Sequence, residues 1–195
     1  MTAIIAIKDG KRIMVGTDGR SCTDDDAWAI RNKESYKVKR IDGSPNCLIA
    51  CAGYVHRNSV ISNIPNLLDG KDDVTFKYLV NKTLPKIYNE LEKLRFIKQG
   101  EKYNEIDSSV IIATKKHLFK ISGYGIVTEC AKVAIAGSGD DMLLCKYQDI
   151  KDLAIPTQDK ITMCLKHAIK YGQSIGYPIV IESTIKEDPT IIIKN

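Results

Sequence analysis

A threonine directly behind the initiator methionine can do chemistry that no interior threonine can. Once Met1 is removed, Thr2 carries a hydroxyl nucleophile and a free α-amine on one residue, and an α-amine, with a reference pKa of about 8, is a base poised near neutral pH. A small second residue such as Thr generally permits that removal. Alone, the signal is weak, because many chains begin Met-Thr. The other chemistry-bearing residues narrow the field. His56, His117 and His167 fall on different elements without ligand-like spacing, so neither a histidine metal site nor a Ser-His-Asp triad is supported. No GxxxxGK[ST] or GxGxxG loop follows a strand, and Gly137-Ser138-Gly139 by itself is a weak phosphate-loop signal. Six cysteines contain no CxxC pair and read as reduced thiols, mostly in the core.

The elements that must position Thr2 follow from periodicity and turn residues. Strands are expected at residues 3–7 and 12–16, joined by the turn signal Asp9-Gly10, and at 36–41 and 47–52, joined by Asp42-Gly43-Ser44-Pro45. Residues 47–52 are continuously apolar, as for a strand buried on both faces. Helical spacing takes over at 57–68 and 74–97, where Phe76, Leu79, Val80, Leu84, Ile87, Leu91 and Leu94 recur every three or four residues and Pro85 predicts an interruption. Strands return at 109–113, 118–122 and 132–136, helices at 141–147 and 157–171, and a strand pair at 178–184 and 190–194 closes the chain. Strands, two helices, strands, two helices, strands, with hairpin connections, predicts an α+β fold of antiparallel sheets between helix layers. That is a four-layer αββα sandwich rather than a doubly wound parallel sheet.

Bulk properties bound the function. A chain of 195 residues is enough for one sizeable core and cramped for two, so a single domain over 1–195 is expected. Hydrophobic content of 44% and charged content of 27% are ordinary for a globular protein, and no stretch approaches the ~18 consecutive apolar residues of a membrane span. The N-terminus lacks the basic region of a secretory signal, which points to the cytoplasm. The net charge of +5 is spread through turns and helix faces rather than gathered in a stripe, so no nucleic-acid partner is expected. The most basic stretch, residues 33–40, reads as a solvated strand or turn.

The opening TAIIAIKDGKRIMVGTDGRS resembles that of proteasome β-subunits and of the two-ring bacterial peptidase HslV: Thr, strand, turn, strand, then Asp-Gly. Three further features match in order: Lys37 in YKVKRI, the strand end Cys51-Ala52-Gly53, and Ala136-Gly137-Ser138-Gly139 opening a helix. The resemblance covers most of the chain and implies the N-terminal-nucleophile hydrolase fold, in agreement with the layer order. It also implies roles. Thr2 Oγ attacks a carbonyl; the Lys37 ammonium favours the developing alkoxide and lowers the basicity of the α-amine. Asp18 orients Lys37, the Gly53 backbone N–H faces the oxyanion, and Ser138 relays the proton of the Thr2 amine. Without the resemblance, Ser138 would read as a plain helix N-cap. The positions that shape the family's specificity pocket are Ser21, Cys22, Cys51 and Val55 here, a small and mostly apolar set that favours uncharged side chains.

One departure stands out. The family's Asp and Ser near the last helix have no Asp counterpart here: Gly172, Gln173, Ser174 and Ile175 offer only Ser174, in a loop where some members hold a monovalent or divalent cation. No cofactor is otherwise expected. The resemblance implies an N-terminal threonine peptidase that degrades unfolded polypeptides inside a hexameric or heptameric double ring, fed by an AAA+ ATPase unfoldase. Two alternatives stand beside it: a noncatalytic ring subunit, and a small-molecule amidase of the same nucleophile class.

Overall fold

The computed structural model describes residues 2–10, 12–22, 28–30, 36–99 and 104–194; for 21–22, 28–30 and 98–99 it describes the backbone alone. The first hairpin forms as expected. β1 (Ile4–Asp9) and β2 (Arg12–Asp18) pair antiparallel across a turn in which Gly10 has φ +56°, a left-handed conformation that favours glycine. β3 (Arg20–Cys22) and β4 (Trp28–Ile30) make a short two-stranded ribbon. β5 (Val38–Ile41) and β6 (Ser44–Gly53) form the next hairpin, followed by α1 (Val55–Ile61). α2 (Phe76–Tyr78), a π turn (Leu79–Thr83) and α3 (Leu84–Lys93) run on without a break.

A second short ribbon, β7 (Lys98–Gln99) with β8 (Asn104–Glu105), precedes β9 (Ser108–Ala113), β10 (Leu118–Ile121), β11 (Val127–Cys130) and β12 (Val133–Ala136). α4 (Asp140–Ile150), α5 (Thr157–Tyr171), β13 (Ile179–Ser183) and β14 (Ile191–Ile193) complete the order. The larger sheets are five-stranded and antiparallel, ordered β12-β1-β2-β13-β14 and β11-β10-β9-β6-β5. The class is α+β. No helix among the described residues is long and apolar enough to cross a membrane.

Each central strand contributes to two cores because successive side chains point to opposite faces. In β6, Cys47, Ile49 and Cys51 join Ile61, Leu79, Ile87 and Leu91 of α1–α3, whereas Leu48, Ala50 and Ala52 meet Ile4, Ala6, Ile13 and Val15 of the other sheet. In the N-terminal strand, Ala3, Ile5 and Ile7 turn instead toward Leu143, Ile161, Leu165 and Ala168 of α4 and α5.

The helices depart from the periodicity where backbone chemistry intervenes. The helix expected over 57–68 stops at Ile61. Pro65 disfavours helical geometry in the residue before it, and Asn66 and Asp69 adopt φ of 47° and 52°. The kink expected at Pro85 appears as the π turn just ahead of it, where the wider winding accommodates the proline's missing N–H. β3, β4, β7, β8 and β11 were not anticipated, because segments of two to four residues, half-exposed in β11, carry no readable alternation.

Helix α5 reaches β2 at Gly16. A Cβ there would collide with Ile161 Cγ2 and approach Leu165 Cδ1 to 3.0 Å. Gly16→Ala should therefore lower stability by about 1–3 kcal/mol through overpacking. Urea denaturation measures this; an unchanged midpoint would mean that the helix is not seated on this strand as described.

Candidate active site

Thr2 is held from both sides. Its N–H donates to Ser138 Oγ at 3.2 Å, and its carbonyl accepts from Gly139 N at 3.2 Å. The neighbouring Ala3 donates its N–H to Asp18 Oδ1 at 2.9 Å and accepts from Asp18 N at 3.1 Å. The chain can come this close to residues 137–139 only because two of them are glycines. Gly137 has φ +103°, and a Cβ there would run into the Thr2 carbonyl; a Cβ on Gly139 would lie 2.6 Å from Ile175 Cδ1. Gly139 occupies the N-cap of α4 with no side-chain cap, so Ser138 is not the plain helix cap that its position alone suggests. Its hydroxyl turns to Thr2.

Asp18 closes β2 and is fully buried. Its Oδ1 accepts from Lys37 Nζ at 2.6 Å as well as from Ala3, and its Oδ2 accepts from Arg20 N at 3.2 Å and Gly176 N at 3.4 Å. Lys37, just ahead of β5, is also buried, at 6% exposure. Two opposite charges in a charge-assisted hydrogen bond offset much of each other's desolvation. Because Lys37 Nζ and Ala3 N share one carboxylate oxygen, the ammonium stands one residue from Thr2.

Gly53 ends β6 with φ +139°, paired in register with Ser108 of β9. A Cβ at 53 would lie 2.8 Å from the Asp107 carbonyl and 2.9 Å from Ser108 Oγ, so the protein's own β9 already demands glycine. Thr2, Gly53 and Ser138 line one open cavity of ≈ 530 Å³ together with Ala52, Asp107, Ser108, Ser109, Lys120, Gly123, Gly137 and Asp140. Sequence reasoning missed Asp107, Ser109, Lys120 and Asp140. Asp107, Ser109 and Lys120 reach the cavity through strand pairing and Asp140 through the start of α4, although a lysine inside the apolar run of β10 was a readable anomaly.

Of the expected specificity positions, Cys51 and Val55 do not line this cavity. Cys51 faces the core under α1–α3, with burial pushing its thiol up to about 12, and Val55, 41% exposed, opens α1. The side chains of Ser21 and Cys22 lie outside the described residues. In the loop after α5, Gly172 N donates to Ala168 O at 2.8 Å, and Arg20 Nη1 reaches the Gln173 carbonyl at 3.4 Å. A side-chain cation thus already faces that carbonyl. No group of three or more His, Cys, Asp or Glu suited to a metal occurs among the described residues.

No protein-family model and no curated protein matches the chain. Solved structures match over nearly its whole length. BPH of Thiobacillus denitrificans, in complex with Epoxomicin, aligns with a TM-score of 0.73 at 13% identity, covering 100% of both chains. HslV of Trypanosoma brucei aligns at 0.68 and 17% identity over 93% of this chain and 98% of that one. A mutant of Anbu from Hyphomicrobium sp. strain MC1 aligns at 0.70 and 12% identity over 99% and 87%. At these identities the likeness is one of fold. The resemblance read from motifs along most of the sequence is thus matched by a fold shared with HslV, BPH and Anbu over nearly the whole chain.

Two outcomes follow from the geometry. Asp18→Ala removes the acceptor of three backbone N–H groups and strands the Lys37 charge, and should cost about 3–5 kcal/mol; Lys37→Met leaves those N–H bonds in place and should cost less. Chemical denaturation orders the two, and the reverse order would mean that Asp18 does not organise the segment. Native alkylation at pH 8 should modify exposed Cys145 while sparing Cys47, Cys51 and Cys164, whose thiols burial pushes up to about 12. Peptide mapping reads the pattern, and rapid labelling of Cys51 would contradict its place in the core.

Proposed function

We propose that this chain is an N-terminal threonine peptidase and a subunit of a self-compartmentalising, HslV- or proteasome-like protease that degrades unfolded polypeptides. The observation that carries the reading is the 3.2 Å contact of Thr2 N with Ser138 Oγ, made in a cavity that Gly53 shares and one residue from the buried Lys37–Asp18 pair. The two sheets with helices against their outer faces then form the four-layer αββα sandwich of this hydrolase class, as one domain.

With Met1 gone, the Thr2 α-amine takes the hydroxyl proton, directly or through one water, while Oγ adds to the scissile carbonyl. The Lys37 ammonium favours the alkoxide. Asp18 holds that ammonium in place, and the Gly53 N–H donates to the oxyanion, a type of contact worth about 10²–10³ in rate. Collapse of the tetrahedral adduct breaks the C–N bond, and the protonated α-amine passes its proton to the leaving amine. A water deprotonated by the same amine then attacks the acyl ester, releasing the carboxylate product and restoring Thr2. Ser138 positions the amine for both transfers. The reaction needs no cofactor, since nucleophile and base share one residue.

Self-association into a hexameric or heptameric double ring, with an AAA+ unfoldase delivering substrate in the cytoplasm, follows from the same reading. Exclusion of folded proteins would then rest on the chamber rather than on this cavity, which is open.

Intact mass spectrometry before and after incubation with a threonine-directed peptide epoxyketone tests the proposal, because that reagent consumes both the hydroxyl and the free α-amine. Loss of one methionine followed by a one-to-one adduct on Thr2 is the expected result. Retained Met1 and no adduct would overturn it in favour of a noncatalytic ring subunit.

A further inference from the structure

Lys120 is the third residue of β10 (Leu118–Ile121). Phe119 and Ile121 enter the core under α1–α3, and Leu118 enters the core between the sheets. Alternation therefore turns Lys120 to the same side as Leu118. A charge at an inward position is costly unless something compensates it. Lys37 meets Asp18 at 2.6 Å. Lys120 has no such partner: half-buried, it makes no ion pair and no side-chain hydrogen bond among the described residues, and it opens instead on the ≈ 530 Å³ cavity that contains Thr2.

The cavity's two carboxylates are already engaged. Asp107 accepts from Arg57 Nη1 at 2.7 Å. Asp140 sits on the exposed rim in the first turn of α4, where the helix's positive end favours its charge, and accepts from Asp141 N at 2.9 Å. Beside them stand one unpaired ammonium with three donors, on the same wall as the Ser109 hydroxyl, and the buried Ser108 Oγ, which also has no partner among the described residues.

We propose that Lys120 makes this cavity a subsite for a carboxylate of the substrate, an Asp or Glu side chain of the bound polypeptide. The subsite rests on the peptidase reading and adds to it a preference for acidic sequence beside the scissile bond. Cys51 and Val55 do not line this cavity. Any preference set by Cys51 and Val55 therefore concerns a different side chain of the substrate.

The test uses the full-length protein carrying Thr2→Ala, which binds without cleaving, and fluorescently labelled hexapeptides in which one position at a time is Glu, Gln or Lys. Anisotropy should give about tenfold tighter binding for Glu than for Gln at one position, as expected of a charge-assisted hydrogen bond. Lys120→Met should abolish that difference without weakening the Gln peptide, Lys120→Arg should retain it, and added salt should reduce it. Melting temperature checks that each variant is folded. Equal binding of Glu and Gln, no peptide binding, a Glu preference that survives Lys120→Met, or a preference for Lys would each overturn the proposal. The peptidase reading fails separately: charge selectivity in binding without an epoxyketone adduct would sink that reading alone, and an adduct without charge selectivity would sink only the subsite.

Discussion

The Asp18 carboxylate is the point on which the geometry around Thr2 depends. Fully buried, it would be prohibitively costly alone. It persists because four donors converge on it from separate parts of the chain: Ala3 N from the N-terminus, Arg20 N from the next residue but one, Lys37 Nζ from the lead-in to β5, and Gly176 N from the loop after α5. No one of these segments can satisfy the carboxylate, and the carboxylate cannot be buried until they have met. The position of the N-terminal residues is thus a consequence of completed folding. Ala3 is fixed on both its N–H and its carbonyl by the same aspartate, which leaves Thr2 little freedom to wander.

The other side of Thr2 is set by sterics rather than charge. Residues 137–139 pass so close beneath it that side chains at 137 or 139 would overlap Thr2 or Ile175. Between these two glycines Ser138 is the one residue able to present a polar atom, and its hydroxyl goes to Thr2 N rather than to the first turn of α4. Helix α4 therefore begins on Gly139 without a side-chain cap, giving up a contribution that caps usually supply, typically about 1 kcal/mol. Local stability has been traded for a hydrogen bond at the N-terminus.

Much of this was legible in the sequence, for physical reasons that differ from part to part. The continuously apolar stretch 47–52 read as a strand buried on both faces, and β6 divides its side chains between two cores. Long helices showed through their 3.6-residue period, while their ends did not, because α1 stops ahead of Pro65 and two left-handed residues rather than where its apolar pattern fades. Asp18 and Lys37 were singled out by resemblance, not by pattern; a contact across 19 positions leaves no periodic trace. Asp107, Ser109, Lys120 and Asp140 escaped altogether: the register of β9 against β6 and β10 brings the first three to the Thr2 cavity, and Asp140 arrives as the first residue of α4. Cys51 illustrates strand parity, which sends its side chain into the core under α1–α3 while its neighbours Ala50 and Ala52 face the other sheet.

The proposed mechanism asks more of Thr2 N than the surrounding contacts supply. While Met1 is attached, Thr2 N is an amide. It can donate to Ser138 Oγ, as it does at 3.2 Å, but its lone pair is delocalised into the carbonyl and cannot accept the hydroxyl proton. The Lys37–Asp18 pair, the glycine approach and the cavity are all in place with the amide present, so none of them by itself makes Thr2 a nucleophile. On the reading proposed above, cleavage of the Met1–Thr2 bond would convert that nitrogen to an amine, a base where an amide stood.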